Sequence, residues 1–290
     1  MMTLAPALRF RATSLAITTV ALFGLLHQNQ VLAVQIVPAA ATSPADSWTY
    51  ADLADVFAAA PIVAQVRIVE AIAIKDAATR NGTIRVFLRG DVVSLIRAPT
   101  AQPPRLAWLA DVPLDPRGRL PKLKKAMMLL AVSPVAGRPG EVRLVARDAM
   151  VTWSPAAEAR LRALVAETAA SGAVPPATGV TGAFHSAGTI PGEGETQVFL
   201  GTESGTAMSI SVLRRPDEAP LWSFAPGEIV DEAAATPARE TLAWYRLACF
   251  LPRALPADAT RELTASDSAA ALVDYQFVMD QLGDCPRRRG

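Results

Sequence analysis

Few residues in this chain can do acid–base or nucleophilic chemistry. Outside the first 33 residues there is one histidine, His185, in the run GAFHSAG. A hydrolytic triad needs an imidazole to take a hydroxyl proton and an acid to orient the ring. His185 is the one residue that could fill the first role, with Ser204, Ser209 and Ser211 as unremarkable hydroxyl candidates. The favoured reading is a structural or surface histidine. Glu193 and Glu195 in PGEGE place two carboxylates one glycine apart, ahead of a strand. Such a pair could bind a hard cation or act as a general acid and base. A solvated turn entering the strand accounts for it more simply.

The excluded chemistry is broader. One histidine rules out H-E-x-x-H and multi-histidine metal centres. No G-x-x-x-x-G-K-[ST], strand-following G-x-G-x-x-G, G-x-S-x-G or S-x-x-K occurs, which removes the phosphate cradles and the serine-nucleophile signatures. No catalytic residue, cofactor or metal is therefore assigned, and His185, Glu193 and Glu195 stand only as candidate ligand-binding residues.

Four further features have ordinary explanations. Glu228, Asp231 and Glu232 form an acidic patch ahead of an expected helix start, where negative charge is favourable. Lys122, Lys124 and Lys125 form a basic cluster that could face a lipid headgroup or a polysaccharide, but reads first as a solvated strand edge. Arg89-Gly90-Asp91 spells an adhesion tripeptide, yet it lies between apolar strand halves, where a bulge glycine explains it. Trp108, Trp153, Trp222 and Trp244 are spread along the chain and suit core packing better than a carbohydrate platform.

The compartment follows from the start of the chain. Arg9 and Arg11 precede the uncharged run Leu15 to Leu26, and Val31-Leu32-Ala33 supplies small residues for cleavage after Ala33. That is the layout of a secretory signal peptide. The run is too short for a bilayer crossing of roughly 20 residues, so no transmembrane segment is expected in the mature chain. Residues 34–48, rich in Ala, Pro and Ser, read as a flexible tether. A formal net charge of +1 argues against a nucleic-acid partner. In an oxidising compartment the two cysteines, Cys249 and Cys285, are expected to form one disulfide.

The pattern then predicts the elements that hold these residues. Thr49 and Asp52 form a capping-box variant ahead of a helix ending at Pro61. From Ile62 the apolar period becomes two, Glu70 marks a bulge, and Asn81-Gly82 is a hairpin turn. Strands are expected at 83–96, 106–112, 126–132 and 141–151, followed by a helix opened by Ser154-Pro155. This 49–168 unit is expected to be a small antiparallel β-barrel of OB-like layout, flanked by helices; another small barrel or sandwich is the alternative. Residues 169–181, with two adjacent prolines, read as a linker. Residues 182–290 are expected to be a smaller α+β domain. It has strands at 196–200, 207–213 and 221–225, a helix from Thr236-Pro237 through Cys249, and a last helix capped by Ser266. That last helix presents Leu272, Tyr275, Met279 and Leu282, and stops at Gly283. The disulfide would staple the helix pair, and Arg287-Arg288-Arg289 would be a frayed tail.

The blocks RGDVVSLIR, WLADVPLDPRGRLPKLKK, PGEGETQVFL, GEIVDE and WYRLACFLP resemble a set of uncharacterised exported proteins of Gram-negative bacteria. The resemblance spans most of the chain after residue 33 and implies export, with no activity or site residue to carry over. The expectation is a periplasmic or secreted, non-enzymatic binding or interaction module whose partner is an envelope protein or cell-surface component. The alternative is a periplasmic hydrolase of unfamiliar type, using a Ser or Thr nucleophile or the acidic pair.

Overall fold

The computed structural model describes residues 48–74, 82–227 and 234–289. The signal segment, residues 34–47 of the expected tether, Asn81 of the hairpin turn, and Glu228, Asp231 and Glu232 lie outside the described residues.

The chain enters its fold through a capped helix. Thr49 Oγ1 accepts from the Asp52 N–H at 3.1 Å and the Asp52 carboxylate accepts from the Thr49 N–H at 3.0 Å, which completes the capping box of α1 (Tyr50–Phe57). At the other end Arg97 donates to the carbonyls of Phe57, Ala58 and Ala60, satisfying acceptors that the last turn leaves open.

Next come β1 (Ile62–Ala73), β2 (Thr83–Arg97), β3 (Arg105–Pro113), β4 (Met127–Pro134), β5 (Val142–Leu144) and β6 (Met150–Thr152). They form one antiparallel sheet in the order β3-β2-β1-β4-β5, with β6 also pairing β4. The expected 141–151 strand is thus two short strands. The bulge appears as a register shift between Ile68 and Glu70. At Gly90 a Cβ would stand 3.1 Å from the Trp108 ring and from the Arg67 carbonyl, so the residue is glycine because the indole lies across it.

Alternation decides the packing. Ile62, Ala64, Val66 and Ile68 of β1 join Val86, Leu88, Leu106, Trp108, Leu130 and Val132 in one core inside the curl of this sheet. The opposite faces of β1 and β4, through Val63, Leu129 and Ala131, belong to a second core. The shared wall is buried on both sides over Ile62–Val66, so that even Gln65, on the face where the period of two predicts solvent, is buried. At the far side β3 meets the chain beside β5 in a single parallel bridge, Ala107 with Glu141, where the Ala107 N–H donates to the Gly140 carbonyl at 2.8 Å. Among the described residues no closed barrel is found.

Ser154 caps α2 (Pro155–Ala169), with proline in the first turn as its sequence signals. A second antiparallel sheet, ordered β10-β9-β8-β7, contains β7 (Ala177–Ala187), β8 (Gly194–Thr202), β9 (Met208–Arg214) and β10 (Leu221–Ala225). β7 starts inside the expected linker, so only residues 170–176 connect the elements. Its apolar residues are Ala, Val and a single Phe among Gly, Thr and Ser, which hides its period.

α3 (Leu242–Ala248) is capped by Thr241, not opened at Thr236. α4 (Ala265–Leu282) is capped by Thr264, not Ser266, and ends at Gly283 with φ +66°. Tyr275, Met279 and Leu282 are buried on α4 as expected, whereas Leu272 is 44% exposed and Ala271 takes the core position. The second core gathers Leu53 and Phe57 of α1, Leu161 and Leu164 of α2, Val198 and Ile210 of the second sheet, and Tyr245 and Tyr275 of α3 and α4. It therefore spans both sides of the expected 169–181 boundary, and the described residues fall within one compact unit. The coarse class is mixed α+β, with mostly antiparallel sheets.

Cys249, the C-cap of α3, is joined to Cys285 just beyond α4, which closes a loop with a sequence separation of 36. The residues that follow are strapped onto α1 instead of fraying. Arg287 makes a bidentate pair with Asp55 at 2.7 and 3.1 Å, and the N–H groups of Arg288 and Arg289 donate to Asp52. Arg289 also lies over the Trp48 ring and pairs with Asp148, so Trp48 belongs to the folded unit and not to a tether. Burial raises the Asp55 carboxyl pKa, but the hydrogen bonds from Arg287 and Tyr245 outweigh it and hold the group below its ordinary range. On the chain-entropy account, Cys249→Ser/Cys285→Ser lowers the unfolding free energy by about 4 kcal/mol. Urea unfolding of the two proteins under non-reducing conditions checks this.

Candidate functional site

The β7–β8 hairpin carries all three candidate ligand-binding residues. Its turn is built by PGEGE: the Gly188 N–H donates to the Glu193 carbonyl at 2.9 Å, and the Glu193 N–H to the Ile190 carbonyl at 3.0 Å. Gly192 takes φ +88°. A Cβ at Gly188 would collide with the Glu193 side chain at 2.4 Å, so this glycine makes room for the glutamate to fold back over the turn.

Strand alternation then separates the candidates. Glu195 pairs with Ser186 and points to the exposed face, where Gln197 donates to its carboxylate at 3.1 Å. His185 pairs with Thr196 and faces inward, towards α4. The Glu193/Glu195 pair and His185 therefore do not converge on one site, and no group of metal-ligating residues occurs among the described residues.

His185 instead joins a buried polar network that its own sequence context does not announce. Its Nδ1 lies 2.8 Å from Thr196 Oγ1, Thr196 donates to Asp274 Oδ2, and Arg214 pairs with Asp274 Oδ1. Thr196 and Asp274 have no exposed surface, while the Arg214 side chain is 32% exposed. The network ties β7, β8 and β9 to the middle of α4. It gives a buried carboxylate both a charge partner and a hydroxyl donor, as burial of a charge requires.

A histidine, a hydroxyl and an acid are thus in line, but in the wrong order for a nucleophile and its base. Thr196 has one proton, and the ionised Asp274, held by Arg214, can only accept it. Thr196 Oγ1 must then accept from His185 Nδ1–H, which leaves the Nε2 lone pair as the free one. In a triad the ring accepts the hydroxyl proton and the acid orients the ring; here the acid holds the hydroxyl. Full burial of Thr196 also denies it a substrate.

Two surface cavities lie elsewhere. One, of about 380 Å³, is lined by Ala71 and the run Leu120–Lys125. The other, of about 260 Å³, lies among Trp48, Arg160, Arg239, Trp244 and Arg288, under the C-terminal strap. Neither includes His185, Glu193 or Glu195. Ser204 is in the turn after β8, and Ser209 and Ser211 lie on the exposed face of β9. Arg89-Gly90-Asp91 sits inside β2, with Arg89 paired to Glu70 and Asp91 to Arg105.

Sequence reasoning missed Asp274, Thr196 and Arg214. Asp274 did leave a signal: an acid one residue before Tyr275, on the buried face of an amphipathic helix, needs a partner from elsewhere. Nothing near Arg214 identified it as that partner. No protein-family model matches the chain, and no curated protein is significantly similar to it.

The network predicts unequal effects. Asp274→Asn removes the charge that answers Arg214 and destabilises by about 3 kcal/mol, towards the low end for a buried pair because Arg214 can rehydrate. His185→Ala, at the partly exposed end, costs about 1 kcal/mol. Denaturant midpoints of the two variants against the parent measure the difference.

Proposed function

We propose that this chain is an exported, non-enzymatic binding module that meets a partner protein of the cell envelope through the outer face of its second sheet. One observation carries the reading. The rows Gly182–Phe199–Ser209, Phe184–Gln197–Ser211–Ser223 and Ser186–Glu195–Leu213–Leu221 form a face with one charged residue. On it Phe184, Phe199 and Leu221 are 53%, 42% and 58% exposed. Clustered apolar side chains on a solvated sheet, set among small hydroxyl and amide groups, are the composition of a contact surface. The outer face of β2 and β3 differs in carrying the ion pairs Arg85–Asp111, Arg89–Glu70 and Arg105–Asp91 around Leu109, which is 48% exposed.

Export is supported by the leader-like start of the sequence and is compatible with the Cys249–Cys285 disulfide. Among the described residues no helix is long and apolar enough to cross a membrane. The first sheet is read as OB-like in layout. That reading is supported by the strand order and by the parallel approach of β3 to the chain at β5, with the seam open beyond the one bridge. The order of the His185–Thr196–Asp274 line, with the acid on the hydroxyl, supports a structural role for His185 over that of a base.

A photoreactive phenylalanine analogue placed at Phe199 or Phe184 and irradiated in living cells tests the module. The expected result is one adduct of discrete mass from both positions and none from Arg261, on another surface. Absence of adducts, or equal labelling at all three positions, contradicts the reading.

A further inference from the structure

The chain holds 24 arginines but only four lysines, and three of those lysines fall within four residues, at 122, 124 and 125. Of the six arginines in the strands of the first sheet, Arg85, Arg89 and Arg105 are neutralised in cross-strand pairs. Lys122, Lys124 and Lys125 are all exposed, and none has an ion-pair partner among the described residues.

The backbone holds this turn in place. β4 pairs β1 only as far as Arg67, opposite Met127; beyond it the turn takes over the edge of β1. The Lys125 N–H donates to the Ile68 carbonyl at 2.8 Å, the Ile68 N–H to the Ala126 carbonyl at 2.9 Å, and the Ala126 N–H to the Leu123 carbonyl at 2.9 Å. Lys125 takes φ +73°, a left-handed state that glycine adopts freely and a lysine only at a cost. The charges are therefore presented by a fixed turn.

Beneath them is apolar surface. Ala71, Leu120 and Leu123 join the lysines in lining the cavity of about 380 Å³.

We propose that this lysine turn seats the protein on an anionic phospholipid bilayer, on a surface distinct from the second-sheet face. A single bound oxyanion is best gripped by guanidinium forks, and the chain has arginines in plenty; flexible ammonium groups suit a laterally mobile sheet of negative headgroups. The apolar floor of Ala71, Leu120 and Leu123 gives the contact a shallow hydrophobic component.

The test is flotation of the purified protein with vesicles of phosphatidylglycerol and phosphatidylcholine, or of phosphatidylcholine alone, in low and in 1 M salt. The expected result is binding to the anionic vesicles at low salt, release in 1 M salt, and little binding to the neutral ones. Each lysine near such a surface is worth about a fivefold change in partition, so Lys122→Gln/Lys124→Gln/Lys125→Gln should weaken binding about 100-fold. Arg215→Gln/Arg253→Gln/Arg261→Gln, which removes equal charge elsewhere, should bind like the parent. Circular dichroism verifies that each variant is folded. Equal binding by the lysine variant and the parent, equal binding to neutral vesicles, or no binding to anionic ones overturns the proposal. So does lysine-dependent binding to a soluble acidic polysaccharide without binding to vesicles.

Discussion

The structure depends on one wall buried from both sides. β1 and β4 present Ile62, Ala64, Val66, Leu130 and Val132 to one core and Val63, Leu129 and Ala131 to the other. A strand with a single dry face can shift outward at modest cost, whereas one enclosed on both faces fixes register and position together. Everything else hangs from this wall: the curled sheet on one side, and on the other α1 and α2 with the second sheet and its helices. That is also why the chain does not divide where its composition changes. The proline-rich stretch before β7 connects elements that share a core.

The second constraint is closure at the chain ends. Asp52 accepts the capping bonds of Thr49 and the N–H groups of Arg288 and Arg289, so the start of the first helix and the end of the chain are held by the same carboxylate. The disulfide delivers the strap to that position. The His185–Thr196–Asp274–Arg214 line does similar work on the second sheet, fixing the helix register of α4 against three strands. Both devices place charge where an apolar core alone would tolerate sliding.

Much of this was legible. The Thr49 box, the Ser154-Pro155 start and the Gly283 stop are local rules, and they appear where the sequence signals them; the bulge expected between Glu70 and Ile72 falls just ahead of Glu70 instead. What failed was non-local. β7 was obscured because its small residues carry no period, and the Arg287–Arg289 run looked like a solvated tail because Asp52 and Asp55 lie more than 230 residues away in sequence. Thr236-Pro237 has the form of a helix start, but Thr236 donates to the Trp222 carbonyl and the helix waits for Thr241. The candidate site was half visible. His185 was identified, but the hydroxyl and acid beside it come from a neighbouring strand and a distant helix, and their order could not be read from spacing.

That order separates a structural histidine from a base. The most direct measurement is the tautomer of His185 near pH 8, by long-range proton–nitrogen NMR correlation with the signals assigned through His185→Ala. A proton on Nδ1, with Nε2 bare, is the result required if Thr196 gives its proton to Asp274. A proton on Nε2 would mean that Thr196 donates to His185, the geometry of a hydroxyl with its base, and would contradict the non-enzymatic account.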